Sequence, residues 1–193
     1  RGYDVVAVAP AADQSSVGRS LSTDVVVHDH ELGYAVDGTP ADCAVVGLSE
    51  LVPDADVVVA GCNEGANLGE YVLGRSGTVS AAVEAAFFDV PAIATSMYVP
   101  AGEDTAFGDT EVDYDSFAEA TAATRYLAEH AFGAGVFDHA EYLNVNAPPA
   151  ASAAGGMAGT RPSTVSRMRA HPDGDRIDAR ADLRDALDGT DLL

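Results

Sequence analysis

Lysine does not occur in this chain of 193 residues; its ten basic residues are all arginine, against 31 acidic ones, for a formal net charge of −21. A surface so short of cations repels nucleic acid and anionic lipid, which excludes binding to a duplex or a bilayer by counterion release. The acidic residues are dispersed rather than gathered at one end, which excludes a disordered acidic tail. Two cysteines, Cys43 and Cys62, are too few for a disulfide scaffold and form no Cys-x-x-Cys pair, so they read as buried, reduced thiols. No apolar run approaches the roughly 20 residues that a membrane-spanning helix requires. The opening Arg1-Gly2-Tyr3-Asp4 also lacks the basic start and apolar stretch of a signal peptide. The expected location is the cytoplasm.

What the chain has in excess is carboxylate. Dispersed and unaccompanied by lysine, it fits a protein that works in very high salt, where the Debye length falls to about 3 Å near 1 M and self-repulsion is screened. Hydrophobic residues make up 47% of the sequence, enough to bury a core in one domain of this length.

Strand and helix patterns alternate along the first three quarters of the chain. Residues 4–9, closed by Pro10, form a β-branched apolar run with the character of a strand buried on both faces. Residues 25–27 and 34–36 predict two short extended segments around a turn at Glu31-Leu32-Gly33. Thr39 is a good N-cap, Pro40 suits the first helical position, and Asp42 places a carboxylate at the positive helix end. That helix is expected to reach Leu51, before Pro53. Residues 55–60 read as a second buried strand, followed by a glycine-rich loop over 61–77 and a small-residue helix over 78–88. Residues 91–96 and 142–146 read as further strands. Phe117, Ala120, Ala123, Tyr126 and Leu127 recur at helical spacing, predicting an amphipathic helix over 114–130.

The alternation predicts an α/β fold: a Rossmann-like, mostly parallel sheet flanked by helices, occupying residues 1–150. Residues 151–159 form a flexible Ala/Gly/Ser stretch, and the charged remainder to 193 is expected to be an arm or a short helix. In open parallel sheets, ligands bind beyond the carboxyl ends of the strands. The loops after Ala9, Ala60 and Ser96 are therefore expected on one rim.

Those loops carry small polar residues. Ser15 and Asn63 offer neutral oxygens suited to a hard cation, Mg²⁺ or Mn²⁺, although such a cation also requires carboxylates. Asp13 and Glu64 are near them in sequence, with no compelling spacing. The helix start at Ser76-Gly77-Thr78 presents unpaired amides and a partial positive charge, which suit a phosphate site but are generic enough to serve as plain capping. His28-Asp29-His30 alternates like a metal motif but reads as a solvent-facing strand. Glu84 reads as a solvated or interface carboxylate, and Phe87, Phe88, Phe117 and Tyr126 as core.

Several segments in register resemble the SurE family. They are Val8-Ala9-Pro10 with Gln14-Ser15 and Ser20-Leu21-Ser22; Asp37-Gly38-Thr39-Pro40-Ala41-Asp42-Cys43; and Gly61-Cys62-Asn63-Glu64-Gly65-Ala66-Asn67-Leu68-Gly69. Ser76-Gly77-Thr78-Val79, Pro91-Ala92-Ile93-Ala94 and Leu143-Asn144-Val145-Asn146 follow in the same order. The resemblance implies a metal-dependent phosphatase that hydrolyses nucleoside 5'-monophosphates, with short polyphosphate as a further substrate. It implies metal ligation by Ser15 and Asn63, and phosphate contacts from Asn67, Ser76, Gly77 and Thr78. Two further metal ligands in the family are consecutive Asp residues on a first strand, ahead of a first helix. By this resemblance the sequence begins after both, so the chain as given is expected to be inactive. In the intact family one Asp serves as nucleophile or as base, with the cation neutralising phosphate charge. A homodimer or homotetramer is also implied.

Two other classes compete with the phosphatase: a non-catalytic nucleotide- or phosphate-binding domain, and a purely structural assembly domain. The charge analysis carries its own test. The fold is expected to loosen at low ionic strength, so the melting temperature should fall between molar and millimolar salt; an unchanged value contradicts the salt-adapted reading.

Overall fold

The computed structural model describes residues 2–98, 113–152, 155–164, 167–173 and 176–182. The first apolar run forms β1 (Ala7–Pro10), later than expected: residues 2–6 have no ladder partner among the described residues, and Val5 and Val6 are exposed. β2 (Val27–His30) and β3 (Gly33–Val36) join through a tight turn at Glu31-Leu32. β3 pairs antiparallel with β2 and parallel with β1, in the order β1-β3-β2. Gly33, at φ 142°, lies where an added Cβ would meet the Ala7 nitrogen at 2.9 Å, so close pairing with β1 requires glycine there.

The cap at Thr39 forms as the sequence predicts and starts α1 (Pro40–Val46). Thr39 Oγ1 accepts from the Asp42 amide at 3.1 Å, and the Asp42 carboxylate accepts from the Thr39 amide at 2.8 Å. The expected helix over 40–51 does not stay regular. From Gly47 to Leu51 it widens to a π-type turn, closed by Val52 N–H donating to the Gly47 carbonyl, just before Pro53.

A second sheet contains β4 (Val58–Glu64), β5 (Ala92–Met97) and β6 (Tyr142–Ala147), all parallel, in that order. Between β4 and β5 run the one-turn α2 (Glu70–Leu73) and α3 (Gly77–Phe87). A 3₁₀ turn at Tyr114–Phe117 leads into α4 (Ala118–His130). All six residues of β5 are buried, as expected for a central strand covered on both faces. Ala94 packs with Val79, Ala82 and Ala85 of α3, while the next residue, Thr95, hydrogen-bonds Thr124 of α4 at 2.7 Å. Successive strand residues face opposite ways, so α3 and α4 cover opposite faces of this sheet. Alanine on both partners lets α3 approach the strands closely.

The expected α/β architecture is present, divided into two three-stranded sheets with no ladder joining β1 to β4 among the described residues. Helices connect them, because α1 packs on β1 and against α3, which lies over β4 and β5. The charged end of the chain, expected as an arm or short helix, contains an antiparallel hairpin of β7 (Arg167–Asp173) and β8 (Arg176–Asp182). Its polar, alternating residues suit a ribbon better than a helix.

Several side-chain expectations are corrected. Phe87 is 71% and Tyr126 52% exposed, and Phe88 is also exposed, because α3 and α4 turn these positions away from the strands. Glu84 is buried at 6% exposure, held by Arg19 at 2.8 Å. Cys43 is buried and its thiol is pushed up to about 12 by burial and by Asp42, whereas Cys62 is exposed because it sits on the uncovered end of β4.

Asp42 ties this half together. Beyond its cap bonds, its carboxylate accepts from the Ser22 amide and hydroxyl, both at 2.8 Å. Burial pushes the carboxyl up, but the hydrogen bonds from Thr39 and Ser22 outweigh it and hold the group below the ordinary aspartate value. A depressed folded-state pKa stabilises the fold above the unfolded value of about 3.9 and loses that contribution as pH falls through the folded value. Asp42→Asn should therefore cost about 1–3 kcal/mol at neutral pH, by urea unfolding. It should also show a shallower loss of stability below about pH 4 than the parent. Identical acid limbs contradict this role.

Candidate active site

The carboxyl ends of β1 and β4 open onto one cavity of about 600 Å³. Its walls include Ser15 from the loop after β1, Asn63 from β4, Asn67 from the loop after β4, and Ser76, Gly77 and Thr78 from the start of α3. All six residues singled out in the sequence thus line a single space. The third expected contributor, the loop after Ser96, falls over 99–112, outside the described residues.

Local chemistry explains how each residue arrives there. β4 does not stop at Ala60 as expected but continues to Glu64, with a register shift between Ala60 and Asn63 against β5. Ala60 pairs with Ala94, and Asn63 with Ser96, so the extra residue re-aims the strand end. Gly61 makes this possible at φ 122°, where a Cβ would collide with the Thr95 carbonyl oxygen. Asn63 is therefore a strand residue rather than a loop residue. Its Nδ2 donates to the Gly65 carbonyl at 2.7 Å, which fixes the amide and leaves Oδ1 as a free acceptor among the described residues. Ser15 is exposed, with its hydroxyl uncommitted to any described partner.

Ser76 caps α3, its Oγ accepting from the Val79 amide at 3.1 Å. The hydroxyl proton is still available to donate. The amides of Gly77 and Thr78, in the first helical turn, have no acceptor among the described residues. They form a donor pair at the positive end of an 11-residue helix, on the cavity wall.

Asn67 is more constrained. It is 5% exposed; its Nδ2 donates to Ser96 Oγ at 2.6 Å, and its backbone amide donates to Asn146 Oδ1 at 2.7 Å. Its carbonyl accepts from Asn144 at 2.9 Å and Asn146 at 3.2 Å. The second Nδ2 proton has no acceptor among the described residues. Sequence reasoning did not assign this clamp. A signal was present in Asn144 and Asn146, two polar residues two apart on a strand, which share one face and need partners when covered.

Two carboxylates, Asp13 and Glu64, and one cation, Arg75, complete the charged residues of the described lining. The loop carrying Ser15 is fastened to the same wall: Gly18 N–H donates to the Arg75 carbonyl at 3.0 Å, and Arg19 reaches Glu84 on α3. Among the described residues no group of three or more His, Cys, Asp or Glu is placed to hold a metal. The His28-Asp29-His30 strand is exposed, as expected, with His28 paired to Asp37 at 3.1 Å.

The bulge is open to a direct test. Gly61→Ala should destabilise the protein by more than about 1 kcal/mol, since alanine is strained at this φ and its Cβ meets a backbone carbonyl. Equilibrium unfolding that shows no loss contradicts the role given to Gly61.

The family model described as Survival protein SurE matches residues 1–170. The 5'-nucleotidase SurE of Haloarcula marismortui is 64% identical over 174 residues, covering 90% of this chain and 65% of that protein. That of Haloquadratum walsbyi is 58% identical, covering 89% of this chain and 64% of that protein. The chain thus spans about two thirds of the length of these relatives. The crystal structure of the SurE protein from Aquifex aeolicus is similar in fold at TM-score 0.62 and 29% identity, covering 89% of this chain and 68% of that one. Sequence and fold together place the chain in one family: it belongs to SurE.

Proposed function

We propose that this chain supplies the phosphate-facing wall of a metal-dependent phosphatase site that hydrolyses nucleoside 5'-monophosphates, and short polyphosphate as a secondary substrate. The observation that carries the reading is the meeting of Ser15, Asn63 and the α3 amino terminus on one cavity beyond parallel strands. A volume of about 600 Å³ suits a small organic ligand. The names of the two relatives, both 5'-nucleotidases, support the same substrate class.

In this reading each residue acts through the atom it has free. The amides of Gly77 and Thr78, with the Ser76 hydroxyl, donate to phosphate oxygens and stabilise charge on them. Asn67, clamped by β5 and β6, offers its remaining amide proton. The free Oδ1 of Asn63 and the hydroxyl of Ser15 fit as neutral ligands of a hard cation, Mg²⁺ or Mn²⁺. Such a cation, when bound, supplies charge neutralisation for the ester. Two neutral oxygens are part of a donor set rather than a whole one. A parallel strand lying between β1 and β4, which share no ladder with each other among the described residues, would pair with both and end at the cavity. Two aspartates at its end would complete the set. The assembled enzyme is proposed to be a cytoplasmic homo-oligomer.

A non-catalytic nucleotide- or phosphate-binding domain is the second reading. It is favoured by the cavity's having just two carboxylates on its described walls. The two separate by phosphate release from AMP with Mn²⁺. With a preceding strand ending in Asp-Asp joined to the chain, turnover is expected, and Asn63→Ala should return it to background. Full activity in Asn63→Ala contradicts the metal assignment. Nucleotide binding without turnover in either form supports the binding domain.

A further inference from the structure

Arginine is scarce in this chain, and three of the described ones are held in different ways. Among the described residues, Arg19 is bound by Glu84 and Arg125 by Glu129, both at 2.8 Å. Among the described residues Arg75 has no carboxylate partner, although in the full sequence acidic residues outnumber basic ones, 31 to 10. Its guanidinium lies 3.6 Å from the centroid of the Tyr71 ring, and its Nη1 donates to the Tyr71 carbonyl at 3.1 Å. These contacts orient the group without neutralising it, and its other N–H groups have no acceptor among the described residues. Arg75 immediately precedes the cap of α3 and is one of the residues that line the cavity, as Gly77 and Thr78 are. The other charged residues of the described lining, Asp13 and Glu64, repel an anion.

We infer that Arg75 is a specificity-determining residue that selects phosphate monoesters over diesters; the inference rests on the phosphate site proposed above. A monoester presents three non-bridging oxygens and a second ionisation near about pH 6. Two of those oxygens match the Gly77 and Thr78 amides, and the third falls to the guanidinium, whose planar fork favours a doubly charged phosphoryl group. A diester has two such oxygens and one charge, and so loses the arginine contact.

The test is binding of methyl phosphate and dimethyl phosphate to the full 193-residue chain in molar salt, followed by ³¹P NMR. For the parent, methyl phosphate should bind more tightly above about pH 6 than below it. Arg75→Gln should weaken methyl phosphate about tenfold, the order expected for one charge-assisted contact. It should also flatten the pH dependence and leave dimethyl phosphate unchanged. A purely structural role for Arg75 would shift both ligands together. Arg75→Lys, which keeps the charge and loses the fork, should lie between the two, and decides the question if the glutamine variant does not fold. Unchanged methyl phosphate affinity in the variant, with binding intact in the parent, overturns the assignment to Arg75 alone. Failure of the parent to bind either ester overturns the phosphate site itself and this inference with it.

Discussion

The contact between α1 and α3 holds the two walls of the cavity together, because no strand ladder among the described residues does so. One wall belongs to the β1-β3-β2 sheet and carries Ser15; the other belongs to the β4-β5-β6 sheet and carries Asn63. Pro40 at the start of α1 lies so close to Gly77 at the start of α3 that an added Cβ would stand 2.9 Å from its ring. Glycine at this point lets two helix amino termini converge beside one cavity. Two further ties reinforce the join, the Gly18 to Arg75 backbone bond and the Arg19–Glu84 ion pair. The latter is half-shielded, since the carboxylate is buried and the guanidinium partly open, so it outlasts salt better than a fully exposed pair.

Rigidity on the second wall comes from polar groups rather than from apolar bulk. Asn67 is held by Ser96, Asn144 and Asn146, one from β5 and two from β6, and this fixes the loop that follows Asn63. The core between this sheet and α3 is built largely from alanine and valine, which bring α3 close but supply no directionality. Division of labour follows: small apolar residues set distance, and amides and hydroxyls set orientation. A ligand-binding rim needs both, because donors displaced by an ångström lose most of their value.

Much of the fold was legible in the sequence where local chemistry decides it. The Thr39-Pro40-Asp42 cap followed from residue identity alone, as did the strand expected over 91–96, found at Ala92–Met97, and the Ser76 helix start. What stayed illegible depends on what lies across space. The run at 4–9 has the pattern of a doubly covered strand, yet its first residues find no ladder partner among the described residues. Phe87, Tyr126 and Glu84 were misread because burial depends on which way a helix is turned, and the spacing on α3 and α4 allows more than one orientation. The bulge that makes Asn63 a strand residue depends on Thr95, more than thirty positions away. The six candidate site residues were found by resemblance together with loop chemistry, whereas Arg75 emerged only from the geometry of the cavity wall.

The central claim is that Ser15 and Asn63 serve one cation site, and spectroscopy can address it without turnover. Substoichiometric Mn²⁺ added to the ¹⁵N-labelled protein should broaden the Ser15 amide and the Asn63 side-chain amide together, before the exposed His28 and Asp29 of β2. Early broadening at β2, with Ser15 and Asn63 left sharp, would contradict the claim.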